Sequence, residues 1–320
     1  MSPPAKFSFP RCVNAVGSSP SMTRGDHRGM TRRLCLLALT TFAIAAQQSS
    51  LFLVLTLLPC LIALNPRAWR VLVLPPAIAI TALIAVNLAG HGRAAISPFG
   101  NVFLLARVIY DGPGLAVLQR DCPASGWRLC PWRDQLPPTS DDFLWQPNSP
   151  IILSGGHKVI SAEAGAIISA ALWQAPGLEA RAALANAAEQ LTRFDSGDGL
   201  EPWPQQVTTW IERDFPAWES ATYAASRQAR GLLAIPPWLG QLHRAVAITG
   251  ILASLVLLPL TTRRHAAAAK LLLVVLIALP LSAAITGGLS TPHDRYQSRI
   301  IWLPAWVAFL SAGALAARRA

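Results

Sequence analysis

The chain has 320 residues, 52% of them apolar and only 13% charged, with a formal net charge of +11. Soluble domains carry about 25% charged residues, so this composition excludes an ordinary soluble globular chain and selects a membrane protein. The positive surplus does not point to nucleic acid. Between His91 and Arg244 there are 12 Lys/Arg against 14 Asp/Glu, while the other 15 basic residues occupy the N-terminal tail, the short gaps between apolar runs and the ends. Basic residues in such gaps set orientation, because they stay on the cytoplasmic side.

Residues 1–30 contain Ser, Pro and Gly without apolar periodicity and read as a disordered tail that includes Cys12. Met30 is a second plausible start, followed by Thr31-Arg32-Arg33 and an apolar run. Residues 31–90 form a first membrane block. Leu34 to Leu64 is too long for one span of about 20 residues and is interrupted at Gln47-Gln48-Ser49-Ser50. Two crossings put Arg32–Arg33 and the pair Arg67 and Arg70 on the same, cytoplasmic, side. A third helix follows over Val71–Ala89, with Pro75-Pro76 near its start, where a kink or neighbouring helices absorb the missing backbone donors.

Residues 91–240 hold almost every acid and read as a mostly helical domain outside the membrane. Apolar spacing predicts helices over Phe99–Tyr110, stopped by Gly112-Pro113-Gly114, and from a Ser161 cap to Gln174. An Ala-rich helix is predicted between Pro176-Gly177 and Phe194, with two more over Gln205–Phe215 and Ala217–Leu233. Cys122 to Pro150 reads as irregular. Cys122 and Cys130 are the only cysteines of this region, and pairing them in an oxidising compartment would contribute roughly 2–3 kcal/mol. Residues 241–318 form the second block, with crossings over Ala245–Leu260, Leu271–Ile285 and Ile300–Ala317. Arg263–Arg264 and Arg318–Arg319 again mark the cytoplasmic side. The expected fold is therefore an all-α integral membrane protein. About six transmembrane helices, three on each side, flank a helical domain, with both ends inside. Residues 91–240 and the loop 287–299 then face the periplasm of a bacterial inner membrane.

The densest chemistry lies in Ser290-Thr291-Pro292-His293-Asp294-Arg295-Tyr296-Gln297-Ser298-Arg299. Arg295 and Arg299 have the planar forks that clamp a phosphate or carboxylate, with Tyr296 beside them, and His293 next to Asp294 has the groups of a proton shuttle. The bland alternative is an interfacial anchor in which Asp294 pairs with an arginine. His157 follows Gly155-Gly156 with no ligand partner at useful spacing. Asp195, Asp198 and Glu201 suggest a fragment of a calcium loop but lack its alternation and read as a turn; Asp141-Asp142 reads as a helix cap. Six histidines and five cysteines form no zinc spacing, so neither a metal nor a cofactor is expected. Eight of the eleven tryptophans lie in the middle region and read as packing residues of a domain lying flat on the bilayer.

At Ser97-Pro98-Phe99-Gly100-Asn101-Val102-Phe103-Leu104-Leu105-Ala106-Arg107, and again over His293–Arg299, the chain resembles a group of uncharacterised proteobacterial multi-pass inner-membrane proteins, a likeness covering most of residues 31–317. A looser likeness is to polytopic glycosyltransferases that use polyprenyl-phosphate sugars, which place an Arg-Tyr pair near a late membrane helix, as Arg295-Tyr296 stands here. Those enzymes also need an acidic residue in their first outer loop, and here that loop, about Gln47–Ser50, has none. Two functions follow as expectations. One is a non-enzymatic cell-envelope component whose partner is the lipid bilayer. The other is a protein handling an anionic lipid or lipid-linked glycan through Arg295, Arg299 and Tyr296. A transporter is disfavoured by the near absence of charge within the apolar runs.

Overall fold

The computed structural model describes residues 27–317. The expected tail up to residue 26, Cys12 and Arg318–Arg319 lie outside the described residues. Those described are helical, with turns and loops between and no strand among them. They fall into two compact units, one ending at Ile96 and the other starting at Ser97.

The first unit contains α1 (His27–Ala45), α2 (Gln48–Leu64) and α3 (Trp69–His91). The polar run at Gln47 separates α1 from α2, whose axes differ by 115°, and Gln47 Nε2 donates to Ser49 Oγ at 3.1 Å. The expected break is therefore present, and helix begins at His27, inside the stretch read as tail. Ile44, Leu51 and Ala79 form the small buried centre. α3 runs through Pro75 and Pro76 and ends on Gly92 at φ 66°, a left-handed cap that glycine adopts without strain. Asn87 Nδ2 then donates to the Ala95 and Ile96 carbonyls, turning the chain back on α3. Outward, Leu34, Leu36, Phe42, Val71 and Val86 stay exposed, a surface suited to lipid.

The second unit opens with α4 (Gly100–Tyr110) and α5 (Pro113–Asp121), followed by the short α6 (Ser140–Trp145) and α7 (Pro150–Leu153). Next come α8 (His157–Gln174), α9 (Pro176–Thr192), α10 (Pro204–Asp214) and α11 (Ala217–Ala225). The last four helices are α12 (Pro237–Thr262), α13 (Ala266–Leu289), α14 (Asp294–Gln297) and α15 (Leu303–Ala316). Gly112 turns the chain at φ 108°. Gly114 lets α5 lie on the α4 backbone, where a Cβ would come within 2.9 Å of Ile109 N. Val102, Leu105, Ile109, Leu118, Phe143, Ile160 and Ile167 then close a core between α4, α5, α6 and α8. Cys122 and Cys130 are joined as a disulfide at a Cα separation of 5.3 Å, stapling the irregular segment.

Several helix limits differ from expectation: α12 starts at Pro237, eight residues before Ala245, and α6 lies within the stretch read as irregular. Ser161 does not cap α8, which starts at His157 after Gly155 and Gly156, both at positive φ. Its hydroxyl instead donates to Asn101 Oδ1 at 2.7 Å, while Asn101 Nδ2 donates to the Ser161 carbonyl at 2.7 Å. α11 stops at Ala225, because the chain turns through Gly231 and the Leu232 N–H bonds the Arg227 carbonyl.

α3 (with the turn Pro66–Ala68), α12 and α13 are each long and apolar enough to cross a membrane, and up to six crossings are possible if bent helix pairs count as single spans. α15 is shorter and apolar. It packs against α12, where Gly250 has no room for a side chain: a Cβ would lie 2.5 Å from Ala305 N. The polar stretch and the last apolar helices belong to one unit. α9 runs along α13, meeting it so closely at Gly287 that a Cβ there would lie 2.6 Å from the Asn186 carbonyl oxygen.

Candidate functional site

Beyond α13 the chain leaves its helix at Ser290, and the segment 290–299 is held by residues far earlier in sequence. Gln190, fully buried near the end of α9, grips it first. The His293 N–H donates to Gln190 Oε1 at 2.8 Å, and Gln190 Nε2 donates to the carbonyls of His293 at 2.8 Å and Arg193 at 3.2 Å. Arg193 Nη1 donates to the Pro292 carbonyl at 3.1 Å. From the other side, Gln297 Nε2 donates to the Leu279 carbonyl of α13 at 3.0 Å.

The side chains named from the sequence are brought together, and nearly all have protein partners. Asp294 accepts the Asp195 N–H at 2.9 Å and lies 3.6 Å from Arg193 Nε. Arg295 donates its N–H to Asp198 at 2.9 Å and its Nη1 to the same carboxylate at 3.1 Å. The His293 ring sits between two acids, with Nε2 3.5 Å from Asp141 and Nδ1 3.8 Å from Asp198, and meets Tyr296 edge-on. The Tyr296 ring carries both guanidinium groups, Arg295 at 5.3 Å and Arg299 at 5.8 Å from its centre. Hydrogen bonding to His293, with added attraction from His293 and Arg295, holds the Asp141 carboxyl below the usual carboxylate range. Asp195 is likewise held low by its ion pair with Arg244.

Asp195 and Asp198 thus belong to the loop's binding frame, although their sequence reads as a glycine turn. Asp141 and Asp142, adjacent in sequence, divide their work. Asp142 serves the helix start with Thr139, whereas Asp141 reaches His293. No local spacing announces these contacts, since they join residues roughly a hundred or more positions apart.

A second polar cluster escaped the sequence reading altogether. Arg107 lies in the apolar face of α4 and is almost fully buried. Its Nη1 and Nη2 both donate to Glu179 Oε2, at 2.6 and 3.0 Å, and its Nε lies 3.1 Å from Asp111. Asn186 Nδ2 donates to Asp111 at 3.0 Å. Burial pushes the Glu179 carboxyl above the usual range; Arg107 opposes that and Asp111 adds to it. The available signal was an arginine inside a buried periodic run with an acid four residues later.

His157 opens α8. It packs against Trp145 and Phe103, and burial lowers its basicity. Among the described residues, no group of three or more His, Cys, Asp or Glu is arranged to hold a metal. One groove runs between α12 and α15, and a cavity of about 370 Å³ lies between α5, α8 and α9. The His293 loop lines neither.

No family model, no curated protein and no solved structure matches the chain.

Proposed function

We propose that this chain is a multi-pass protein of a bacterial inner membrane and a non-enzymatic component of the cell envelope, with residues 91–240 and the loop 287–299 on the periplasmic side. The observation that carries this reading is the engagement of the 290–299 loop. Asp141 and Asp198 engage His293 and Arg295, Asp195 and Arg193 engage Asp294, and Gln190 holds the backbone of His293, so the loop works as a clasp fastening the polar helices to the end of α13. The basic gaps at Arg67 and Arg70 and at Arg263–Arg264 support the orientation. Exposed apolar side chains on α1, α3, α12 and α15 support lipid as the surrounding partner.

One observation favours a second reading, the handling of an anionic lipid or a polyprenyl-phosphate-linked glycan. Arg299 has no carboxylate within ion-pair distance among the described residues, and it shares the Tyr296 ring with Arg295. Replacing both arginines with Lys separates the readings. Lys keeps the charge but loses the planar fork, so a phosphate clamp would lose affinity by about 1–3 kcal/mol. The clasp reading predicts that protein in nanodiscs containing undecaprenyl phosphate retains no more of it than an unrelated polytopic protein does, for wild type and variant alike. Specific retention by the wild type that the double Lys variant loses would overturn it.

A further inference from the structure

We propose that Arg107, Asp111 and Glu179 form a buried proton-binding site, with Glu179 as the group that takes up the proton. This is independent of the clasp and rests on the charge count of the cluster. One guanidinium faces two carboxylates, which leaves an excess negative charge where Arg107 is 3% and Glu179 2% exposed. Such an excess is costly away from water unless it is neutralised.

The geometry identifies which acid is left over. Asp111 has Arg107 Nε beside it and the Asn186 amide on both oxygens, at 3.2 and 3.0 Å. Glu179 receives both Arg107 donors on Oε2 alone, and its Oε1 is buried with no protein donor in reach among the described residues. A proton on Oε1 removes the surplus charge without disturbing either contact to Oε2. Among the described residues, Arg107 and Asp111 are the charged groups that act on Glu179. Arg181 lines the neighbouring cavity, as does Asp111, so Asp111 gives the cluster an opening toward Gln174 and the cavity mouth.

The position adds weight. α9 meets α13 at Asn186 and Gly287, and its far end meets the loop after α13. Glu179, seven residues before Asn186 and eleven before Gln190, therefore lies about 10 Å along α13 from the Asn186–Gly287 contact and about 16 Å from the level where Gln190 meets the loop. It sits beside a helix apolar enough to cross a membrane, where ionisable groups are expensive and mark proton or ion sites.

The test compares the full-length wild type with Glu179→Gln, an isostere of the protonated acid, in nanodiscs from pH 4.5 to 9. A raised folded-state carboxyl makes stability greatest below its unfolded value and diminishes it as pH rises through the folded value. The two proteins should therefore melt together at the acid end, with the wild type falling progressively below the variant toward alkaline pH. Infrared difference spectra of the wild type should show a protonated-carboxyl band that titrates in the same range and vanishes in Glu179→Gln. A variant that fails to fold, or is less stable by the same margin at every pH, would show a permanent ion pair and overturn the proposal. So would the absence of the infrared band.

Discussion

Gln190 is the residue on which the clasp depends most directly, because one side chain satisfies both backbone groups of His293. Gln190→Ala removes hydrogen bonds to the His293 N–H, the His293 carbonyl and the Arg193 carbonyl. The Gln190 side chain is fully buried, so water replaces these bonds poorly. Each buried group left without a partner costs about 1–3 kcal/mol, and with part of the loss relaxed we expect about 3 kcal/mol in total. At roughly 2–4 °C per kcal/mol for a large domain, the apparent melting temperature in detergent should fall by about 6–12 °C. The control is Glu189→Ala, which breaks a solvent-exposed ion pair to Arg193 and should change stability by less than about 1 kcal/mol. If Gln190→Ala melted with the wild type, or no lower than Glu189→Ala, the loop would not be held as described.

Gly287→Ala should destabilise by about 1–3 kcal/mol, because its Cβ would strike the Asn186 carbonyl at 2.6 Å. Gly288→Ala, with open space around it, should be neutral or slightly stabilising by the same melting assay. The Asp141 carboxyl, held low by His293, contributes stability that is present above the unfolded value and lost as pH falls through the folded one. Acid melts below about pH 4 should therefore be shallower in Asp141→Asn than in wild type, and superimposable curves would remove Asp141 from the clasp.

Most helices are legible in the sequence because their signals are local. The polar break at Gln47, the glycine turn at Gly112 and the Pro176-Gly177 junction each interrupt an apolar period, and the structure interrupts helix at each. Ser161 misleads because a serine inside a helix has the same local appearance as a cap; its partner, Asn101, lies sixty residues away. The candidate loop is legible as a dense set of functional groups, but its engagement is not. Whether Arg295 is available to a phosphate depends on Asp198, and nothing near either residue encodes that pairing. The Arg107 cluster is hidden for a related reason: helical periodicity assigns Arg107 to a buried face without showing that Glu179, from another helix, meets it there. The close approach of α9 to α13 is likewise invisible, since it rests on a glycine and an alanine-rich face with no charge to advertise them.

The central claim, a multi-pass membrane protein whose residues 91–240 and loop 287–299 lie on the side opposite its basic gaps, is tested most directly by reporter fusions in a bacterial host. The account predicts that alkaline phosphatase fused after Gly126 is active and that the same enzyme fused after Arg264 is inactive, with a cytoplasmic reporter giving the opposite pattern at each position. Phosphatase activity after Arg264 and none after Gly126 would contradict the orientation, and inactivity at both positions would contradict the crossings themselves.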